Sequence, residues 1–125
     1  MDNIHILSND DVDNLLTVSE CIPIIDNLFA NLDNTQMPPK VYMNVPHGDF
    51  RSMPAVVGPT AGIKWASLNI NKPGKINIFA KVLINDTETG KLLAIMDAEL
   101  LTAIRTAAVT GVATKTGRTA CRERG

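Results

Sequence analysis

The sequence predicts an α+β fold in which N-terminal helices pack on a mainly antiparallel β-sheet. Three observations predict it. From Val18 to Leu32 apolar residues recur at i, i+3, i+4 and i+7 spacing, the signature of an amphipathic helix. From Lys40 to Asp97 the chain breaks into short β-rich runs separated by turn residues. Beyond Asp97 helical spacing returns.

Taken in order, Ile4–Leu7 (IHIL) reads as a short strand. Ser8 with Asp11 three positions on resembles a capping box and opens a short helix up to about Leu16. Thr17 with Glu20 repeats that signal, and Val18, Cys21, Ile22, Ile25, Leu28, Phe29 and Leu32 mark the helix face. Pro23 conflicts with a start at Thr17, because proline is best tolerated in a first turn, and this moves the expected start to Ser19. NLDNTQMPP reads as a loop. VYMNV, FRSMPAVV, GIKWASLNI, INIFAKVLIN and LLAIMD then read as strands, the last two joined as a hairpin across NDTETG. Short connections between sequential strands imply antiparallel pairing. The strands do not alternate cleanly, so the second sheet face is expected to be partly covered, by a helix or another subunit. Asp97 is placed as the N-cap of a last helix marked by Leu100, Leu101, Ile104, Ala107, Ala108 and Val112, which carries Arg105. TKTGRTACRERG has no large apolar residue and is expected to fray.

The 125 residues suffice for one domain with a modest core. A net charge of -1 argues against a general nucleic-acid binder. Cys21 and Cys121 stand apart, with no CxxC or Cys/His cluster, which excludes a recognisable zinc module or disulfide scaffold and suits a reducing compartment. MDNIHILSNDD does not read as a signal peptide, and no apolar run approaches the roughly 18 residues that cross a bilayer. The expectation is a cytoplasmic protein with no membrane and no nucleic-acid partner.

Lys40, Arg51 and Lys64 are candidate anion ligands. A cation flanked by apolar strand residues is costly to bury unpaired. Lys64, between Ile63 and Trp65, therefore needs a carboxylate partner or a ligand if it points inward. Arginine suits a two-point grip on a carboxylate, while lysine supplies a point charge. The blander reading, that strand alternation turns Arg51 and Lys64 to solvent, stays open at this level. Arg105 either reaches such a site or merely pairs on a helix face. His47 reads as a solvated turn residue, Asp86 as a turn residue, and Met53, Met96 and Trp65 as core. No G-x-G-x-x-G is present, hence no dinucleotide fingerprint.

The motifs MPPKVY, GDFRSMPA, AGIKW and LINDTETGKLLAIMDAELLTAIRTAAVTGVA together resemble the ornithine cyclodeaminase/mu-crystallin family, over about Leu7 to Ala113. The resemblance implies NAD- or NADP-dependent chemistry on amino, imino or keto acids. It implies a substrate-binding and dimerisation domain at 1–113, whose sheet joins that of a second copy in a closed homodimer core. It also assigns Lys40, Lys64 and Arg105 to the substrate carboxylate site, with Lys64 as the catalytic candidate. Arg51, in the R-x-M-P form, points to the alanine-dehydrogenase-like branch, because the ornithine cyclodeaminase form has an acidic residue there. An arginine would also repel an ornithine side chain.

The family continues past the RTAA helix into a nucleotide-binding domain, whereas residues 114–125 match nothing in that pattern and are expected to be a disordered or aberrant tail. A frameshifted or truncated product is the simplest reading, and the fragment alone is expected to be inactive in redox chemistry. The functional expectation is the N-terminal part of an NAD(P)-dependent alanine/pyruvate oxidoreductase. The alternatives are ornithine cyclodeaminase proper, converting ornithine to proline and ammonia, and a non-enzymatic carboxylate-binding dimer module.

Overall fold

The computed structural model describes residues 3–72 and 74–124, with side chains for all of these except 34, 72 and 115–124. The elements run β1 (His5–Leu7), α1 (Asn9–Leu15), α2 (Val18–Ala30), a 3-10 turn (Leu32–Asn34), β2 (Thr35–Gln36), β3 (Val41–Val45), β4 (Gly48–Val57), β5 (Thr60–Lys72), β6 (Lys75–Asp86), β7 (Leu92–Asp97) and α3 (Glu99–Arg124). This is the expected α+β arrangement. One sheet has the order β1-β7-β6-β5-β4-β2, with β3 also paired to β4. Every pairing is antiparallel except β1 with β7.

Local chemistry explains the helix starts. Ser8 and Asp11 form a reciprocal capping box, the Ser8 oxygen accepting from Asp11 N–H and Asp11 accepting from Ser8 N–H. Thr17 caps α2 by accepting from Glu20 N–H at 3.2 Å, so the helix starts at Val18 and the expected start at Ser19 is corrected. Pro23 lies inside α2 on its exposed side, where the carbonyl it leaves unpaired is open to water. Asp97 is also reassigned: it ends β7 and pairs with Lys81 across the strand.

The start of α3 is capped from elsewhere. Asn9 Oδ1 accepts the Leu100 N–H, and Asn9 Nδ2 donates to Glu99. Glu99 also accepts the N–H of Ala80, just past the last β6–β7 pair. Burial opposes the Glu99 charge, but these hydrogen bonds and its own N–H outweigh it and hold its carboxyl below the usual range. A depressed carboxyl adds stability above its unfolded value of about 4.3, lost as pH falls through its folded value. Glu99→Gln is therefore expected to flatten the acid limb of the stability-versus-pH curve, read by urea unfolding between neutral and acid pH.

Strand register sorts the sheet into two faces. One carries the rows Tyr42–Arg51–Ala66–Ala80 and Met53–Lys64–Val82–Met96. α3 covers part of it, over a small core of Ala66, Ala80 and Ala98 with Val82 against them. Ile104, Ala108 and Val112 are the buried side of α3, and Gly111 lets α2 close in: a Cβ there would come within 2.8 Å of Ile22. The other face carries Val41–Ser52–Trp65–Lys81–Asp97, Met43–Phe50–Ser67–Phe79 and Pro54–Ile63–Leu83–Ile95. Apart from the Lys81–Asp97 ion pair and two serines it is apolar, and much of it is exposed. Val41, Met43, Phe79 and Trp65 are exposed, and Trp65, expected in the core, instead stacks on Phe50 at 5.5 Å. No helix among the described residues is long and apolar enough to cross a membrane. The helical backbone of α3 enters the expected tail at 114–125, most of whose side chains lie outside the described ones.

Candidate functional site: a cationic cavity beside the last helix

The register that builds the covered face also gathers the cations. Lys64 stands on β5 between Met53 of β4 and Val82 of β6. Arg51 is two residues before Met53, on the same face of β4. The last β3–β4 pair is Val41 with Ser52, so the next position back puts Lys40 level with Met53. β2 pairs only at Val56–Val57 and β3 only as far as Ser52, which leaves 53–55 without a neighbour on that side. Pro54 falls in that gap, where a missing N–H costs the sheet least. Above the sheet, Leu101, Thr102 and Arg105 present one side of α3. Together these residues line a cavity of about 390 Å³: Lys40, Arg51, Met53, Lys64, Val82, Leu101, Thr102 and Arg105.

All four cations singled out in the sequence thus meet in one place. Lys40, Lys64 and Arg105 have no carboxylate partner among the described residues. Arg51 does, and sequence reasoning missed it. Its Nε and Nη2 donate to the two oxygens of Asp49 at 2.8 and 3.2 Å, and its guanidinium lies 5.2 Å from the centre of the Tyr42 ring. The available signal was Asp-x-Arg on one strand, since residues two apart share a face. Met53, read as core, is a wall of the cavity.

The electrostatics follow. The hydrogen bond to Asp49 raises the Arg51 pKa further, so it stays charged throughout the ordinary range. Lys64 moves the other way. Partial burial lowers its pKa first, then repulsion from Arg105, Lys40 and Arg51. A half-buried ammonium among three other cations leaves this cavity with positive charge to spare, a field of the kind that draws an anion such as a carboxylate.

Other candidates do not join this site. His47 is an exposed turn residue, and Asp86 accepts from the N–H groups of Glu88 and Thr89 in the β6–β7 turn. Among the described residues no group of three or more His, Cys, Asp or Glu side chains could hold a metal ion. A dinucleotide does not fit these residues either. The two strand-to-helix junctions, into α1 and α3, have no glycine and put Asp10 and Asp11, or Glu99, in the first helical turn. A pyrophosphate needs the opposite charge and a close backbone there.

The sequence and the fold both have known relatives. Residues 3–119 match the model of the ornithine cyclodeaminase/mu-crystallin family. Alanine dehydrogenase of Archaeoglobus fulgidus is 38% identical over 114 residues, covering 88% of this chain and 35% of that protein. An archaeal alanine dehydrogenase dimer with bound NAD superposes with a TM-score of 0.81 at 38% identity, over 90% of this chain and 36% of the other. The Thermococcus litoralis Δ(1)-pyrroline-2-carboxylate reductase, in complex with NADH and L-proline, gives a TM-score of 0.81 at 31% identity, over 90% of this chain and 37% of the other. The chain therefore spans about a third of the length of these relatives.

Proposed function

The chain belongs to the ornithine cyclodeaminase/mu-crystallin family, and from that premise we propose that residues 1–113 form the substrate-binding and dimerisation domain of an NAD(P)-dependent oxidoreductase. Its substrate is a short amino or keto acid of the alanine/pyruvate type. The observation that carries this reading is the meeting of Lys40, Arg51, Lys64 and Arg105 in one cavity. Once Asp49 is set against Arg51, three positive charges stay uncompensated.

The substrate carboxylate docks among Lys40, Arg105 and the part of Arg51 that Asp49 leaves free. The adjoining carbonyl or imine then lies toward Lys64, whose ammonium polarises it. Hydride chemistry on such an acid would fall to a nucleotide bound elsewhere in a full-length family member, since the residues of this chain do not form its site. Our chain's part is to bind, orient and polarise.

Ornithine cyclodeaminase chemistry is the second reading, and one observation favours it. Asp49 offsets the Arg51 charge and so weakens its repulsion of a side-chain ammonium. Titration by NMR line broadening separates the two. We expect pyruvate to bind and ornithine to bind at least about tenfold more weakly, since a second ammonium gains nothing among three spare cations. Equal or tighter ornithine binding would sink the alanine/pyruvate reading.

The exposed sheet face is the proposed homodimer surface, which leaves the cavity free on the other face. Trp65→Glu places a charge at the centre of that face, next to Phe50. The variant is expected to sediment as a monomer where the parent sediments as a dimer, while keeping the helical circular dichroism of the parent.

A further inference from the structure

Lys64 differs from its neighbours in a way that carboxylate binding does not use. Arg51 and Arg105 carry guanidinium groups, which can hold a carboxylate but do not act as nucleophiles. Lys40 sits at the exposed rim. Lys64 alone is an amine rising from a central strand, its stem held between Met53 and Val82 and its end in the cavity. The cavity thus has cations for a carboxylate and, beside them, one amine backed by apolar walls at Met53, Val82 and Leu101. In a 2-keto acid the carbonyl carbon is bonded directly to the carboxylate carbon, so docking the one delivers the other to the amine.

We propose that Lys64 forms a covalent imine with a 2-keto acid seated in this cavity, without any nucleotide. The inference rests on the reading that the cavity takes such an acid. Neutral Nζ attacks the carbonyl carbon, and the C=O bond becomes a C–OH as a proton passes from nitrogen to oxygen. The carbinolamine takes one further proton from solvent and loses its oxygen as water, leaving a protonated C=N bond to Lys64. In the empty cavity burial and the surrounding cations favour neutral Nζ, so the acid meets a larger neutral fraction than an ordinary lysine offers, as for lysines activated beside another cation. Two electrons are then available to the carbon only from an added reductant. The iminium also acidifies the adjoining methyl group. A C–H proton leaves to water, its electron pair forms a C=C bond, and the C=N π pair moves to nitrogen, giving an enamine.

The test uses the full 125-residue chain with pyruvate and sodium borohydride, which reduces the imine to a stable amine. Peptide mass mapping is expected to place one pyruvate-derived adduct on Lys64. In deuterium oxide the pyruvate methyl protons are expected to exchange faster with the parent than with Lys64→Arg, which keeps the charge and cannot form the imine. Pyruvate binding seen by NMR with no adduct on Lys64 overturns the imine and leaves the binding reading standing. Adduct spread evenly over surface lysines overturns the imine as well. Absence of pyruvate binding overturns both. Mapping in the parent protein decides the question even if Lys64→Arg folds poorly.

Discussion

Arg105→Met is expected to weaken pyruvate binding by about one to two orders of magnitude while making the unliganded protein more stable. The first effect follows from losing a charge-assisted hydrogen bond to a carboxylate, worth about 1.5–3 kcal/mol. The second follows from the cluster itself. Arg105 is the foremost charge acting against Lys64, and it has no carboxylate partner among the described residues. Methionine keeps much of the apolar stem on α3 and removes the repulsion. Opposite signs are what a binding site built at the expense of stability should show. Titration calorimetry and thermal unfolding on the same sample check both. A fall in affinity together with a fall in Tm would mean that Arg105 only supports the helix.

The same cluster sets a pH dependence. The Lys64 pKa is lower in the folded protein than in the unfolded chain, so the folded state binds fewer protons between those two values. Stability therefore rises with pH across that interval, up to the unfolded value near about 10.4. A bound carboxylate favours the ammonium form and draws the pKa back up. Non-covalent affinity should then fall as pH passes through the folded value of Lys64, and in Arg105→Met that fall should move to higher pH.

Much of this fold was legible because its causes are local. Ser8 and Thr17 cap residues three positions on, and the hairpin turns carry their own glycines. What was misread depends on distance. The short strand at Ile4–Leu7 is legible, but its parallel pairing with the remote β7 is not, and the two-residue β2, paired with β4, lies inside what reads as a loop. Asp97 has the chemistry of a cap, but the sheet claims it for β7 and Lys81, and Asn9 caps α3 from 91 positions away. The same division holds at the site. Lys64 stands out because apolar strand residues flank it, whereas the Asp49–Arg51 pair shows only once both are placed on one face of β4. Resemblance to the family supplied the grouping of Lys40, Lys64 and Arg105. Register then shows how a sheet brings two of them level, with the third coming from the helix above.

Gly48→Ala is expected to cost about 3 kcal/mol or more and to remove ligand binding with it. Gly48 opens β4 directly after the β3–β4 turn and packs against the backbone of β5. A Cβ there would lie 1.8 Å from the Leu68 carbonyl oxygen, and no side-chain adjustment can relieve a backbone clash. Relief requires β4 to lift from β5 at its first residues, where Gly48 pairs with Asn69 and Asp49 with Leu68. The hydrogen bond from Ile70 N–H to the His47 carbonyl, at 2.7 Å, would go too. The damage then reaches the cavity, because Asp49, Arg51 and Tyr42 all belong to this hairpin, and Lys40 enters it one residue before β3. Gly58→Ala and Gly90→Ala are the controls. Both turn glycines have positive φ, 57° and 76°, yet a Cβ at either meets nothing within 4 Å. Each should cost only about 1–2 kcal/mol of backbone strain. Urea unfolding and hydrogen exchange across β3 measure the difference. Equal losses in all three variants would show that backbone conformation, not the approach of β4 to β5, makes position 48 a glycine, and would detach the hairpin from the geometry of the cation site.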